Sequence, residues 1–164
     1  MMQISIQNHE DLPAIDRLMA AAFGAKRFER SVWMLRPGEP VPELCLMMKD
    51  RGEMVGSLRF WQVRLGDKPI LLLGPLAVQP SSRGLGYGSS LVTEGLKRAR
   101  EDGRWDLVLV SGEVEYYPKF GFVPAAPYNL QWPGFIEQER LQFYELTPGA
   151  LGDLPSTALP VAPF

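Results

Sequence analysis

The chain has one cysteine, Cys45, and one histidine, His9, so the two side chains most used as metal ligands and nucleophiles are nearly missing. A lone cysteine closes no intrachain disulfide, which suits a reducing compartment. No metal site is expected. No apolar run reaches the roughly 18–20 residues that a membrane helix requires. Residues Met1 to Ser5 show no basic segment leading into an apolar core, so neither a signal peptide nor a membrane partner is expected. An excess of one charge is missing too, because 17 Lys and Arg face 19 Asp and Glu. Binding to a phosphate backbone needs a surplus of cations, so no nucleic-acid partner is expected. Internal repeats and linkers are also lacking. A cytoplasmic protein of one domain, residues 1–164, is the resulting expectation.

What is present is an ordinary apolar fraction, enough for one substantial core. Ile4 and Ile6 alternate with polar neighbours, the period of a half-buried strand. Leu12, Ile15, Leu18, Met19, Ala22 and Phe23 recur at helical spacing, with Asn8 or Asp11 as cap and Gly24 as stop. A short second helix is predicted over residues 28–35. Residues 44–49 and 54–64 read as strands joined by the hairpin turn Asp50-Arg51-Gly52-Glu53, and a further turn leads into the apolar strand 70–78. That succession is an antiparallel meander. Leu91, Val92, Leu96 and Ala99 mark a helix over 89–102, with Glu94 and Arg98 as an i,i+4 pair on its wet face. Strand 105–110 then completes a crossover unit with a parallel pair. A helical turn near Glu115 to Phe120 and strands near Phe122 and residues 140–146 follow. The tail 147–164 contains four prolines, shows no period, and is expected to wrap the surface. The whole predicts a mixed α/β (α+β) domain.

The stretch richest in chemistry is Leu76-Ala77-Val78-Gln79-Pro80-Ser81-Ser82-Arg83-Gly84-Leu85-Gly86-Tyr87-Gly88-Ser89. A buried strand ends, the chain turns through three glycines, and a helix begins. Amide groups in a first helical turn lack intrahelical partners, the helix dipole adds positive potential, and glycines let a phosphate come close. Such a junction is a diphosphate cradle. Glycines alone would equally serve a tight corner. The P-loop is excluded because no Gly-Lys-Ser/Thr ending follows. The dinucleotide fingerprint is a nearer miss: Gly84 and Gly86 fit, Ser89 takes the third glycine's place, and Glu113 imitates the ribose-binding acid. The antiparallel meander upstream argues against that fold.

With these motifs the chain resembles the GNAT superfamily of acetyl-CoA-dependent N-acetyltransferases. Arg83-Gly84-Leu85-Gly86-Tyr87-Gly88 matches the family's Arg/Gln-x-x-Gly-x-Gly/Ala signature, and Leu76-Ala77-Val78-x-Pro80 resembles its strand ending. Tyr116-Tyr117-Pro118-Lys119-Phe120-Gly121-Phe122 is similar to its later aromatic segment. The resemblance implies a central, mostly antiparallel twisted sheet of six or seven strands with helices on both faces. It also implies a splayed parallel pair that opens a slot for acetyl-CoA.

By the same resemblance, the backbone of Arg83, Gly84, Leu85, Gly86, Tyr87, Gly88 and Ser89 holds the pyrophosphate. Leu76, Ala77 and Val78 flank the pantetheine arm, and the Leu76 N–H faces the thioester carbonyl as an oxyanion donor. Tyr117, four residues before Gly121, has the family's spacing for the acid that protonates the departing thiolate, and an unperturbed phenol is protonated at neutral pH. Tyr116 reads as its packing neighbour. Glu113, Glu115 and Glu43 are candidate bases, each also readable as a solvated carboxylate. Where many relatives place a cofactor-contacting Asn stands Val110, with Ser111-Gly112-Glu113 following, as in a subgroup with a glycine-containing connection. The acceptor implied is a small-molecule or protein amine, bordered by candidates Phe28, Trp33, Trp61, Trp132 and Phe135, and the assembly a monomer or homodimer. A non-catalytic acyl-CoA-binding module is the alternative reading, with less need of Tyr117. Cys45 reads as core, His9 as surface or cap.

Overall fold

A computed structural model describes residues 3–164. Among the described residues, nine strands and two α-helices follow one another: β1 Gln3–Ile6, α1 Leu12–Phe23, β2 Leu46–Asp50, β3 Glu53–Leu65, β4 Lys68–Val78, α2 Tyr87–Asp102, β5 Leu107–Ser111, β6 Val123–Pro124, β7 Leu130–Gln131, β8 Leu141–Glu145 and β9 Leu159–Pro163. One sheet runs β1-β2-β3-β4-β5-β8-β6, and every pair in it is antiparallel except β4–β5. The meander forms as its turns require: Arg51 and Gly52 both take positive φ between β2 and β3, the conformation a two-residue hairpin loop favours.

The central strands are apolar on both faces, which explains their unbroken hydrophobic runs. Leu71, Leu73, Val108 and Val110 face α2, where Leu91, Val92, Leu96 and Ala99 meet them. Ile70, Leu72, Leu107 and Leu109 face the opposite layer with Leu35, Phe143 and Val161. Helix α2 sits close upon β3, since a Cβ at Gly95 would lie 2.7 Å from the Phe60 ring. Helix α1 covers the other side of the sheet with Ile15, Leu18 and Met19 against Ala77. Glu94 and Arg98 pair on the outer face of α2 at 3.1 Å.

Three details go beyond the expectations. Seven strands follow the main path, as expected, and two short ones, β7 and β9, pair beside it, the second of them from the tail. Leu159 and Val161 point inward in a period of two that the intervening proline obscures, and β9 pairs with both β3 and β7. The second helix is absent, replaced by two 3-10 turns at Ala25–Glu29 and Ser31–Leu35, because the chain is extended at Arg30 between them. Strand β4 is also not continuous in its pairing. Leu58 faces Leu76 but Phe60 faces Leu73, so Gly74-Pro75 inserts a bulge, with Gly74 at φ +126°.

That bulge has a consequence for the parallel neighbour. β4 and β5 pair only through Leu71–Val108 and Leu72–Leu109, one residue short of Leu73 and the bulge. A bulge bends and twists its strand, so β4 leaves β5 and a wedge opens between them. Among the described residues, no helix is long and apolar enough to cross a membrane.

Candidate active site

The wedge continues into a cleft of about 1060 Å³. Its floor is the end of β4, its upper wall the start of α2, and its far wall the chain from Val110 to Lys119. The turns after α1 close the remaining side.

At one end stands the junction between β4 and α2. Gly84 and Gly86 have φ of +85° and +82°, the left-handed region that glycine enters without a Cβ penalty. Around both, a Cβ would meet nothing within 4 Å, so the backbone faces open space. The first helical hydrogen bond runs from the Ser90 N–H to the Gly86 carbonyl at 3.0 Å. The amide groups of Tyr87, Gly88 and Ser89 precede it and have no helix carbonyl to reach. Arg83 does not aim its guanidinium freely, because Nη2 donates to the Ala22 carbonyl at 3.3 Å and ties the turn to α1.

At the other end lies Tyr117, in the 3-10 turn Tyr117–Phe120. Its ring packs on Gly112 so closely that a Cβ there would lie 2.1 Å from it. Phe122 and Tyr116 hold it edge-on at 5.4 and 5.0 Å between centroids. The residue is 8% exposed. Burial, with Tyr116 adding to it, pushes the phenol well above its ordinary value, while Arg140 and Arg36 pull the other way. Tyr117 therefore keeps its proton throughout the neutral range. Tyr116 also borders the cleft, its hydroxyl 2.9 Å from where a Gly88 Cβ would stand.

Leu76, Val78, Arg83, Gly84, Gly86, Tyr87, Gly88, Ser89 and Tyr117 all line this one cleft. Ala77 and Leu85 do not. The Ala77 side chain is buried under α1, and Leu85 is 62% exposed. Of the carboxylates, Glu113 borders the cleft, whereas Glu43 is paired with Arg104 at 2.7 Å beside a separate, smaller hollow. Glu115 lies outside the lining. Among the aromatic candidates, Trp33 lines the cleft and Phe28 packs on it at 4.9 Å. Trp61 is in the core on the β9 side of the sheet, Trp132 donates to Ser31 Oγ at 2.8 Å, and Phe135 is 85% exposed. Cys45 is buried, its thiol donating to the Val41 carbonyl at 3.2 Å, and His9 is exposed in the 3-10 turn before α1.

Besides Arg83 and Lys119 of the quoted motifs, Lys26, Arg27, Arg30, Arg36 and Arg140, which the sequence reading did not single out, line the cleft against the carboxylate Glu113. Arg36 stacks over Trp33 at 4.8 Å, and its Nη2 lies 2.7 Å from where a Gly74 Cβ would be. Burial pushes its guanidinium down to about 9, which still leaves it charged at neutral pH. No spacing or repeat marked those five positions, because they come from turns without period. Among the described residues there is no group of three or more His, Cys, Asp and Glu able to hold a metal ion.

A strand that splays from its parallel neighbour, a glycine-flanked helix start and a buried tyrosine on one cleft define an acyltransferase architecture. A sequence profile of the Acetyltransferase (GNAT) family matches residues 12–122, and the chain belongs to that family. The uncharacterized N-acetyltransferase YhbS of Escherichia coli K12 is 30% identical over 92% of this chain and 90% of its own length. The uncharacterized N-acetyltransferase YjhQ of the same strain is 32% identical over 74% of this chain and 69% of its own. The crystal structure of Escherichia coli YhbS in complex with CoA superposes with a TM-score of 0.80 at 28% identity, covering 97% of this chain and 88% of that one. A GNAT family acetyltransferase from Brucella melitensis, solved with acetyl-CoA, shares the fold at a TM-score of 0.74 and 24% identity, over 100% and 96% of the two chains.

Proposed function

We propose that this N-acetyltransferase moves the acetyl group of acetyl-CoA directly to a primary amine, through a tetrahedral intermediate formed in the wedge between β4 and β5. The observation that carries the reading is that a single cleft joins the helix start at Gly86–Ser89, the end of β4 and Tyr117. Acetyl-CoA is the family's cofactor, and the parts of the cleft fit its parts. The open backbone around Gly84 and Gly86 suits the pyrophosphate, whose charge the unpaired amides and the helix dipole favour. The stretch from Leu76 to Val78 runs alongside the wedge, where the pantetheine arm lies like an added strand. Leu76, just beyond the bulge, directs its N–H to the thioester carbonyl. There it stabilises the oxyanion that develops as the amine attacks.

The chemistry then has a clear proton balance. The neutral amine nitrogen attacks the carbonyl carbon, and the intermediate collapses with cleavage of the carbon–sulfur bond. Tyr117 passes its phenolic proton to the departing sulfur, and Arg36 and Arg140 ease the brief negative charge left on the ring. The attacking nitrogen loses its surplus proton to solvent, and the Tyr117 phenolate takes one back from solvent to close the cycle.

Calorimetry with acetyl-CoA, on wild type and a Gly86→Glu variant, tests the assignment. The carboxylate would stand where the phosphates bind, so only wild type should titrate. A wild type that is folded by thermal melt yet binds no acetyl-CoA would remove the proposal. Tyr117→Phe, followed by thiol release, then separates the acid's role from binding: kcat should fall by roughly 100-fold or more, with acetyl-CoA affinity unchanged.

A further inference from the structure

Three polar groups at the tyrosine end of the cleft are buried without a hydrogen-bond partner among the described residues: Arg36 Nε, Arg140 Nε and Ser111 Oγ. They come from separate parts of the chain. Arg36 ends the 3-10 turn Ser31–Leu35, Ser111 closes β5, and Arg140 immediately precedes β8. The fold nevertheless gathers them. Ser111 pairs with Leu141 across β5–β8, and the Gly112 N–H donates to the Arg140 carbonyl at 2.9 Å. Arg36 reaches the same region from the opposite wall, over Gly74, and both guanidiniums act electrostatically on Tyr117. All three residues line the cleft. Neither arginine forms a salt bridge among the described residues, whereas Arg98 and Arg104 do.

A buried guanidinium N–H without an acceptor is costly, and folds seldom retain one unless something else uses it. Coenzyme A phosphates are poorly placed to do so. They belong at the start of α2, beyond Val78, and the strand from Gly74 to Val78 spans about 13 Å at about 3.3 Å per residue. Arg36 sits at the Gly74 end. An acceptor entering from the open side would bring its amine to the thioester and the rest of its body between Arg36 and Arg140.

We infer that the acceptor amine carries an oxyanion, a carboxylate or a phosphate-like group, which Arg36 and Arg140 grip with help from the Ser111 hydroxyl. The planar guanidinium edge offers two parallel donors to such a group, and charge-assisted bonds of this kind are the strong ones. Lys26, Arg27 and Arg30 at the mouth would draw the anion inward, since only Glu113 opposes them in the lining. The inference rests on the acetyl-transfer reading and narrows its acceptor to one chemical class.

The test uses matched acceptors at saturating acetyl-CoA: an amino acid, its carboxamide, and its aminophosphonate analogue, followed by thiol release. At least one anionic member should exceed the carboxamide in kcat/KM by about 30-fold or more. The carboxylate and phosphonate arms then tell a planar from a tetrahedral oxyanion. Arg36→Gln and Arg140→Gln should each shrink that preference through KM, while Arg98→Gln, on the outer face of α2, should leave it intact. Equal turnover of carboxamide and anions, or no turnover of anions despite acetyl-CoA binding, overturns the inference and leaves the cofactor assignment standing. Failure of acetyl-CoA to bind in calorimetry removes the underlying reading instead. Wild-type preference decides the question even should an arginine variant fail to fold.

Discussion

The two ends of the cleft are built on opposite principles. At the helix end the proposed contacts are backbone amides, and the side chains are chiefly absent: Gly84 and Gly86 leave open space in front of the chain. At the tyrosine end the contacts are side chains, and several are packed to the limit, with Tyr117 wedged on Gly112 and Arg36 laid over Gly74. A backbone site reads a ligand common to a whole family and says little about individual members. A side-chain site can change by single substitutions and gives each member its acceptor. On the proposed reading, recognition of the cofactor and choice of the amine are separated along one groove.

Substitutions at the glycines should break this division most sharply. Gly112→Ala places a Cβ 2.1 Å from the Tyr117 ring, which cannot remain where it is. We expect kcat to fall by about 100-fold or more as the acid is displaced, with a stability loss of about 1–3 kcal/mol from overpacking. Acetyl-CoA affinity, measured by calorimetry, should change little. Gly88→Ala is the counterpart at the other end. Its Cβ would approach the Tyr116 hydroxyl at 2.9 Å, and acetyl-CoA affinity should weaken roughly tenfold, about the cost of one hydrogen bond, while kcat persists at saturation. Equal effects of both variants on both parameters would erase the distinction between the ends.

Ser111→Ala sharpens the comparison by a smaller amount. Removing a buried hydroxyl without a partner should leave stability equal or raise it by about 1 kcal/mol, whereas KM for the preferred acceptor should rise about threefold, by the weak net value of one neutral hydrogen bond. Thermal melts and acceptor kinetics on one preparation show both. The smallest effect concerns Cys45, outside either end. Burial pushes its thiol up to about 11 from 9, so the folded chain holds a proton there that the unfolded chain releases. Its contribution to stability is full below pH 9 and is lost as the pH rises toward 11. The melting temperature should decline modestly over that window, less so in Cys45→Ala, and thiol reagents should label Cys45 only on unfolding.

The sequence reading succeeded where a local rule governs. Meander turns, the stripe of α2 and the glycine junction each follow from a short run of residues, and all three appear in the structure. The tail was misread because Pro160 interrupts an otherwise legible alternation of Leu159 and Val161. The bulge at Gly74-Pro75 was present in the letters, since proline inside a strand signals an edge or a bulge, yet the apolar run around it dominated. Arg36 and Arg140 were not legible at all. They lie 104 positions apart by residue number, in turns that no period describes, and only the closing of the sheet places them on one cleft.

The bulge also bears on how the molecule holds itself together. With only Leu71–Val108 and Leu72–Leu109 joining β4 to β5, the sheet consists of two half-sheets stitched by a pair of rungs. Beyond those rungs β4 keeps only its pairing with β3 and β5 only its pairing with β8, so hydrogen exchange in the ligand-free chain should be faster along the split than at the rungs. Any ligand spanning the split acts as a keystone between the halves. At a hundredfold excess over its dissociation constant it adds about 2.7 kcal/mol to stability. The chain is then most rigid when its cofactor is plentiful, and its resistance to heat or protease becomes a readout of cofactor supply.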